Sequence, residues 1–295
     1  MGAVSGRLKF ILGGAAGCGM MWGWWTHHTA ALTVVSLARA DWLTWAVFAL
    51  IASLVLQWVR TGLLFRAVPA WSIAAPVGLS HGVNVLAPSL LGDVFEVVAL
   101  SRMLNQPAGA VLTRLLFRFC TTLAALGVLA AIAVGSVDLS AGFALASVAA
   151  VTPFVVDAWT PRWSARLPGA MGASTAPMAG VGWLATAIHT ALAILQHTLS
   201  AASIFILGAA IDDPVSPPLA AGMLSLADIA TYLPVPLGGI GLHHWSVSSV
   251  ADLMGTVPTG LVLVNHALIV LVGGACAVGG WLALPDKSLL NRQNI

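Results

Sequence analysis

Of 295 residues, 59% are hydrophobic and only 7% are charged, and the mean hydropathy is +0.96. A soluble domain carries about a quarter of charged residues, so this composition excludes one and leaves no room for a soluble catalytic domain. The net charge of +2 says little about partners. What remains is an all-α polytopic membrane protein, with residues 1–295 as a single transmembrane domain.

A membrane helix needs about 20 mostly apolar residues. In chain order, the charge-poor runs predict six full spans near 8–26, 42–64, 108–136, 140–158, 180–210 and 259–284. Arg7 and Lys9 before the first run mimic a signal peptide. A retained helix is preferred, because Ala15, Gly19 and Gly23 give it a small-residue packing face. Arg7, Lys9, Arg60, Arg66, Arg102, Arg162, Arg166, Lys287 and Arg292 then fall on one side. By the positive-inside rule that side is the cytoplasm, and it holds both termini. Arg39 falls opposite, where Asp41, Asp138, Asp212 and Asp213 supply acids.

This placement makes residues 74–104 leave and return on the cytoplasmic side, and residues 215–256 on the outer side. Each reads as a re-entrant hairpin of two short helices. Such backbone is tolerated at membrane depth only where it is buried in protein or lines a wet cavity. The alternative is two full spans per segment, ten in all, and hydropathy does not separate the two. A doubled motif favours the hairpins. Pro88, Gly92 and Val94 repeat the spacing of Pro234, Gly238 and Ile240, as P-x-x-L-G-x-[V/I]. Pro and Gly interrupt helices, and paired interruptions point to a transport site built from a probable inverted repeat.

Ionisable groups in a bilayer are rare and usually face a cavity or a partner. Asp93 and Glu96 share one helix face after the first motif, and Arg114, Arg118 and Thr121 share another. One reading is an anion pocket, since guanidinium forks suit phosphate. The other is a structural ion-pair cluster. His189, Gln196, Ser200 and Ser203 form a polar stripe, with His197 to its side. The stripe reads either as the lining of a hydrophilic groove or as interhelical hydrogen bonding. The second hairpin offers Asp228, Tyr232, His243 and His244 around Gly238, Gly239 and Gly241. Those glycines allow close backbone approach to a ligand, or simply make a tight turn.

Other chemistry lacks a pattern. Neither His27 with His28 nor His243 with His244 has a spaced third metal ligand. Cys18, Cys120 and Cys276 lie in apolar runs, as packing residues. No Walker A, G-x-S-x-G or H-E-x-x-H sequence occurs. No cofactor is expected. The tryptophans cluster near span ends as an aromatic belt, which leaves nucleic acid without a platform.

Asn84 with Pro88, Gly92 and Asp93 resembles the first signature of the lysylphosphatidylglycerol synthase transmembrane-region family. Leu115 to Arg118 resembles the arginine segment that follows it. Pro234, Pro236, Gly238, Gly239 and Gly241 resemble the family's most specific signature. The family includes flippase domains of multiple-peptide-resistance proteins and standalone members linked to glycolipids or hopanoids. Three positions depart from its pattern. Glu96 stands where members carry a base, Thr121 where they often carry an acid, and His243 and His244 near a usual Glu.

The resemblance implies movement of a lipid or lipid-linked sugar between leaflets of a bacterial inner membrane. Enzymes of a lipid pathway are candidate partners. The headgroup would pass Arg114, Arg118, Asp93, Glu96 and the glycine-rich turn. The expected substrate is a phosphate-bearing lipid, a polyprenyl-phosphate sugar or phospholipid. The alternatives are a hopanoid or other neutral lipid, and an enzyme acting on a lipid headgroup. Synthase activity is not expected, because it belongs to a soluble domain fused to some members.

Overall fold

A computed structural model describes residues 38–65, 70–86, 91–164, 181–231 and 259–283. Among these residues the chain forms eight helices and no strand. They are α1 (Ala40–Leu64), α2 (Ala70–Leu86), α3 (Leu91–Leu104), α4 (Ala108–Gly135), α5 (Leu139–Ser164), α6 (Gly182–Ala210), α7 (Pro217–Thr231) and α8 (Thr259–Ala283). By length and composition, α1, α4, α6 and the Leu139–Ala158 part of α5 are long and apolar enough to cross a membrane. The expected spans from 42 onward fall on α1, α4, α5, α6 and α8 with ends close to those predicted. The expected span at 8–26 lies outside the described residues. So does the second P-x-x-L-G copy with Tyr232, Gly238, Gly239, Gly241, His243 and His244.

The helix ends follow local chemistry. Asn105, with φ 50°, closes α3. Pro107, extended at ψ 139°, then precedes α4. The Asp138 carboxylate caps α5, accepting bonds from the Ser140 N–H at 2.9 Å and the Ala141 N–H at 3.1 Å. Ser216 caps α7, accepting from the Leu219 N–H at 3.3 Å, and Pro217 fills the first helical position, where a missing N–H costs nothing.

Contacts between these ends set the layout. The Arg39 N–H, just before α1, donates to the Ala210 carbonyl at the end of α6 at 2.8 Å. At the far end of α1, Phe65 lies under the Arg114 guanidinium, 5.3 Å from it, near the start of α4. This contact sets the end of α1 beside the start of α4. In the intervening chain, α2 and α3 fold back on each other. Ile73 and Val77 share an apolar cluster with Leu100, while the Gly92 N–H donates to Asn84 Oδ1 at 2.8 Å. A Cβ on Gly92 would strike the Ser80 carbonyl, so this crossing requires glycine.

A larger core joins α1, α4, α6, α7 and α8 through Ala46, Leu129, Leu207, Met223 and Leu261. Two seams are built from small residues, as expected where lipid supplies no hydrophobic drive between helices. On α2, a Cβ at Gly82 would collide with the Gly273 carbonyl and the Ala277 methyl of α8. On α8, a Cβ at Gly280 would come within 2.6 Å of the Ala75 carbonyl. The second seam sets Gly142 of α5 against Gly135 and Ala131 of α4. Trp45, Phe48, Phe143, Val148, Trp183 and Leu271 are exposed outside the bundle.

Two placements differ from the sequence reading. Arg60 was expected beyond the second span on the cytoplasmic side. It instead lies within α1 and is 1% exposed, because other helices supply its hydrogen-bond acceptors. His197 was expected to one side of the α6 stripe, yet it is buried with His189, Gln196 and Ser203. Helices pack on α6 from several directions, so its buried arc is wider than one stripe.

Candidate functional site

The polar residues of α1, α3, α4 and α6 form one buried network. Arg118 makes a two-pronged bond to Glu96, with Nη1 to Oε1 at 2.6 Å and Nη2 to Oε2 at 2.9 Å. Its Nη1 also donates to the Thr61 hydroxyl at 2.7 Å. Arg60 donates through Nη1 to Gln196 Oε1 at 2.6 Å. Its Nη2 reaches the Arg118 carbonyl at 3.1 Å, the Thr121 hydroxyl at 2.8 Å and the Thr122 hydroxyl at 3.0 Å. Those four acceptors are neutral. Charge-assisted forks of the Arg118–Glu96 kind are about twice as strong as neutral bonds. Glu96 is fully buried, so the fork also compensates a carboxylate held away from water.

Beside this network is a cavity of about 520 Å³. Among the described residues, every helix except α5 contributes to its wall. Arg60, Arg118, Gln57 and Gln196 line it from α1, α4 and α6. His81 and Asn84 reach it from α2, Asp93 from α3, Asp228 from α7 and Asn265 from α8. His197 Nδ1 lies 3.3 Å from Asp228 Oδ2, at ion-pair distance, but without aligned hydrogen-bond geometry. Val94, Leu112 and Leu116 also line the cavity, yet they are 59%, 46% and 50% exposed. The cavity, whose wall sets these polar groups among aliphatic side chains, is therefore bordered by side chains of the apolar outer surface between α3 and α4.

Of the residues singled out in the sequence, Asn84, Asp93, Arg118, Gln196, Ser200, Ser203 and Asp228 meet at this cavity. Glu96 stands behind Arg118, and Gly92 supports Asn84. Arg114 is elsewhere. It shares a helix face with Arg118, but its Nη1 donates to Gln106 Oε1 at 3.3 Å near the bundle end. His189 is also elsewhere, edge-on to the Phe117 ring with centroids 5.4 Å apart. Ser200 and Ser203 bond α1, through Ser53 at 2.7 Å and the Ala46 carbonyl at 2.8 Å. That stripe thus serves both readings: Gln196, Ser200 and Ser203 line the cavity, and the two serines also bond α1.

Arg60, His81, His197 and Asn265 were not selected from the sequence. A signal for Arg60 was present. Ser53, Gln57 and Arg60 recur at spacings of four and three inside one apolar run, which places them on one helix face. His81 and Asn84 carry the same signal, three apart. Among the described residues, no three His, Cys, Asp or Glu side chains converge as a metal site. No family model, curated protein or solved structure matches this chain.

Proposed function

We propose that this chain is a lipid transporter that moves a phosphate-bearing lipid between the leaflets of a bacterial inner membrane. One observation carries the reading: a largely apolar cavity that holds charged and polar groups in its wall, inside an apolar bundle, bordered by outward-exposed Val94, Leu112 and Leu116. The barrier to moving a lipid across a bilayer is mainly desolvation of its headgroup. The Arg60 and Arg118 guanidiniums set positive charge at the cavity wall, a charge type that suits phosphate, while the acyl chains stay in the bilayer beside α3 and α4. The resemblance to the lysylphosphatidylglycerol synthase transmembrane region supports the same reading.

In this proposal, α2 and α3 form a re-entrant hairpin from the cytoplasmic side, and α7 begins a second from the outer side. The shared end contacts of Phe65 and Arg114 support the first. The presence of Asn84, Asp93 and Asp228 at one cavity supports a meeting of the two near mid-membrane. Both termini lie in the cytoplasm.

A second reading, transport of a hopanoid or other neutral lipid, draws on the Asp93, Asp228 and Glu96 carboxylates, which offset the two guanidiniums at the wall. Reconstitution into liposomes separates them. Wild-type protein should accelerate dithionite quenching of fluorescent phosphatidylglycerol at least several-fold over protein-free liposomes. Monodisperse Arg60→Gln protein should lose most of that gain. Acceleration of a fluorescent diacylglycerol-like probe alone would favour the neutral lipid. No acceleration of either probe would end the transporter proposal.

A further inference from the structure

His197 is 5% exposed, sits on the cavity wall and holds Nδ1 3.3 Å from Asp228 Oδ2. Its Nε2 has no hydrogen-bond partner among the described residues. A buried imidazole normally satisfies both nitrogens. A neutral imidazole has one donor and one acceptor nitrogen. A carboxylate beside Nδ1 favours the tautomer with its proton on that atom. The lone pair is then on Nε2, the atom without a partner, at a cavity wall. This is an arrangement for receiving a proton.

We propose that His197 and Asp228 form a proton-binding site through which a pH gradient drives lipid movement. The proposal rests on the transporter reading and adds its energy source. A hydronium ion entering the cavity gives its proton to His197 Nε2 and leaves as water. The imidazolium and the Asp228 carboxylate then form an ion pair at the contact already in place. On the opposite side, Nε2 returns the proton to water and the imidazole is neutral again.

The surrounding charges give the coupling its sign. The groups at the wall are Arg60 from α1, His81 from α2, Asp93 from α3, Arg118 from α4 and Asp228 from α7, with neutral Asn265 from α8. Glu96 stands behind Arg118. Two guanidiniums thus accompany three carboxylates among the described residues, and one proton on His197 balances the set. A balanced cavity accepts an anionic phosphate more readily than a negative one, so proton and headgroup move in the same direction. Intramembrane His and Asp groups are costly unless they serve such a relay or pair.

Two measurements on the full-length protein test this. In nanodiscs with isotopically labelled histidine, one imidazole signal, absent from His197→Gln protein, should change with pH. It should move in Asp228→Asn protein. In liposomes holding fluorescent phosphatidylglycerol, a gradient of one pH unit should bias the probe toward the alkaline side by up to about tenfold, the limit for one proton per lipid. That bias should vanish in His197→Gln protein. A His197 signal that does not titrate, or that ignores Asp228→Asn, overturns the proton site. A titrating His197 with wild-type exchange that ignores the gradient overturns the coupling. A titrating His197 with no exchange of the probe at any pH overturns the transporter reading and leaves the proton site standing. Bias that persists in His197→Gln but is lost in Asp93→Asn overturns His197 as the coupling group.

Discussion

At the scale of single residues, the Arg118–Glu96 fork has the largest energetic consequence. Removing one member of a buried pair strands the other and costs about 3–5 kcal/mol, whereas neutralising both costs far less. Glu96→Gln should therefore lower the thermal unfolding midpoint in detergent, followed by tryptophan fluorescence. The double change Glu96→Gln with Arg118→Gln should regain most of the loss. Additive losses would mean that the two side chains are not coupled. Glu96 and Thr121 fall within one network, since Glu96 accepts from Arg118 and Thr121 accepts from Arg60. The sequence made Asp93, Glu96 and Arg118 legible because charge in an apolar run is conspicuous. It misplaced Arg60 because the positive-inside rule sorts charges by side and is blind to depth. The acceptors that let Arg60 stay inside come from α4 and α6, and no local pattern in α1 announces them.

At the scale of elements, the spans were legible because a run of about 20 apolar residues matches the thickness of a bilayer and little else. The helix pairs were not, because lipid-facing and protein-facing apolar residues look alike in sequence. The α2–α8 seam shows the difference. Gly82 meets α8 directly, while Gly274 and Gly279 on α8 have open space around them among the described residues. Gly82→Leu should abolish the monodisperse peak in size-exclusion chromatography, and Gly279→Leu should keep it. Loss of the peak in both would place the seam elsewhere. The α5 cap has its own pH dependence. Bonds from the Ser140 hydroxyl, the Ala141 N–H and the Ser140 N–H hold the Asp138 carboxyl below the ordinary carboxylate range. A depressed folded pKa contributes stability that is complete above the unfolded value of about 3.9. That contribution is lost as pH falls through the folded value. Hydrogen exchange at Ser140 and Ala141, compared with Asp138→Asn protein, should lose protection only at the acid end. Equal pH profiles in the two proteins would remove the carboxylate from the cap.

At the scale of the whole molecule, the prediction concerns sides. Asn105 and Val137 flank α4 and are both exposed. With Cys18, Cys120 and Cys276 replaced by Ala, Val137→Cys should react with an impermeant maleimide on intact spheroplasts. Asn105→Cys should react only after permeabilisation. Labelling of both from outside would overturn α4 as a span. The proposed orientation rests on the nine basic residues that the sequence puts on one side, Arg102 among them, with Asp138 among the acids opposite. The sequence did not foresee that residues 136 positions apart, Arg60 and Gln196, would share a bond, since tertiary pairing of polar side chains leaves no periodic trace.

Under the transporter proposal, the exposed border of Val94, Leu112 and Leu116 would limit what the protein can discriminate. These side chains are aliphatic, and a hydrocarbon chain lying against them meets a surface much like another lipid. Chain length and unsaturation would then go unread, and selectivity would be confined to the few groups inside. A cell that remodels its fatty acids with temperature would need no second version of this protein.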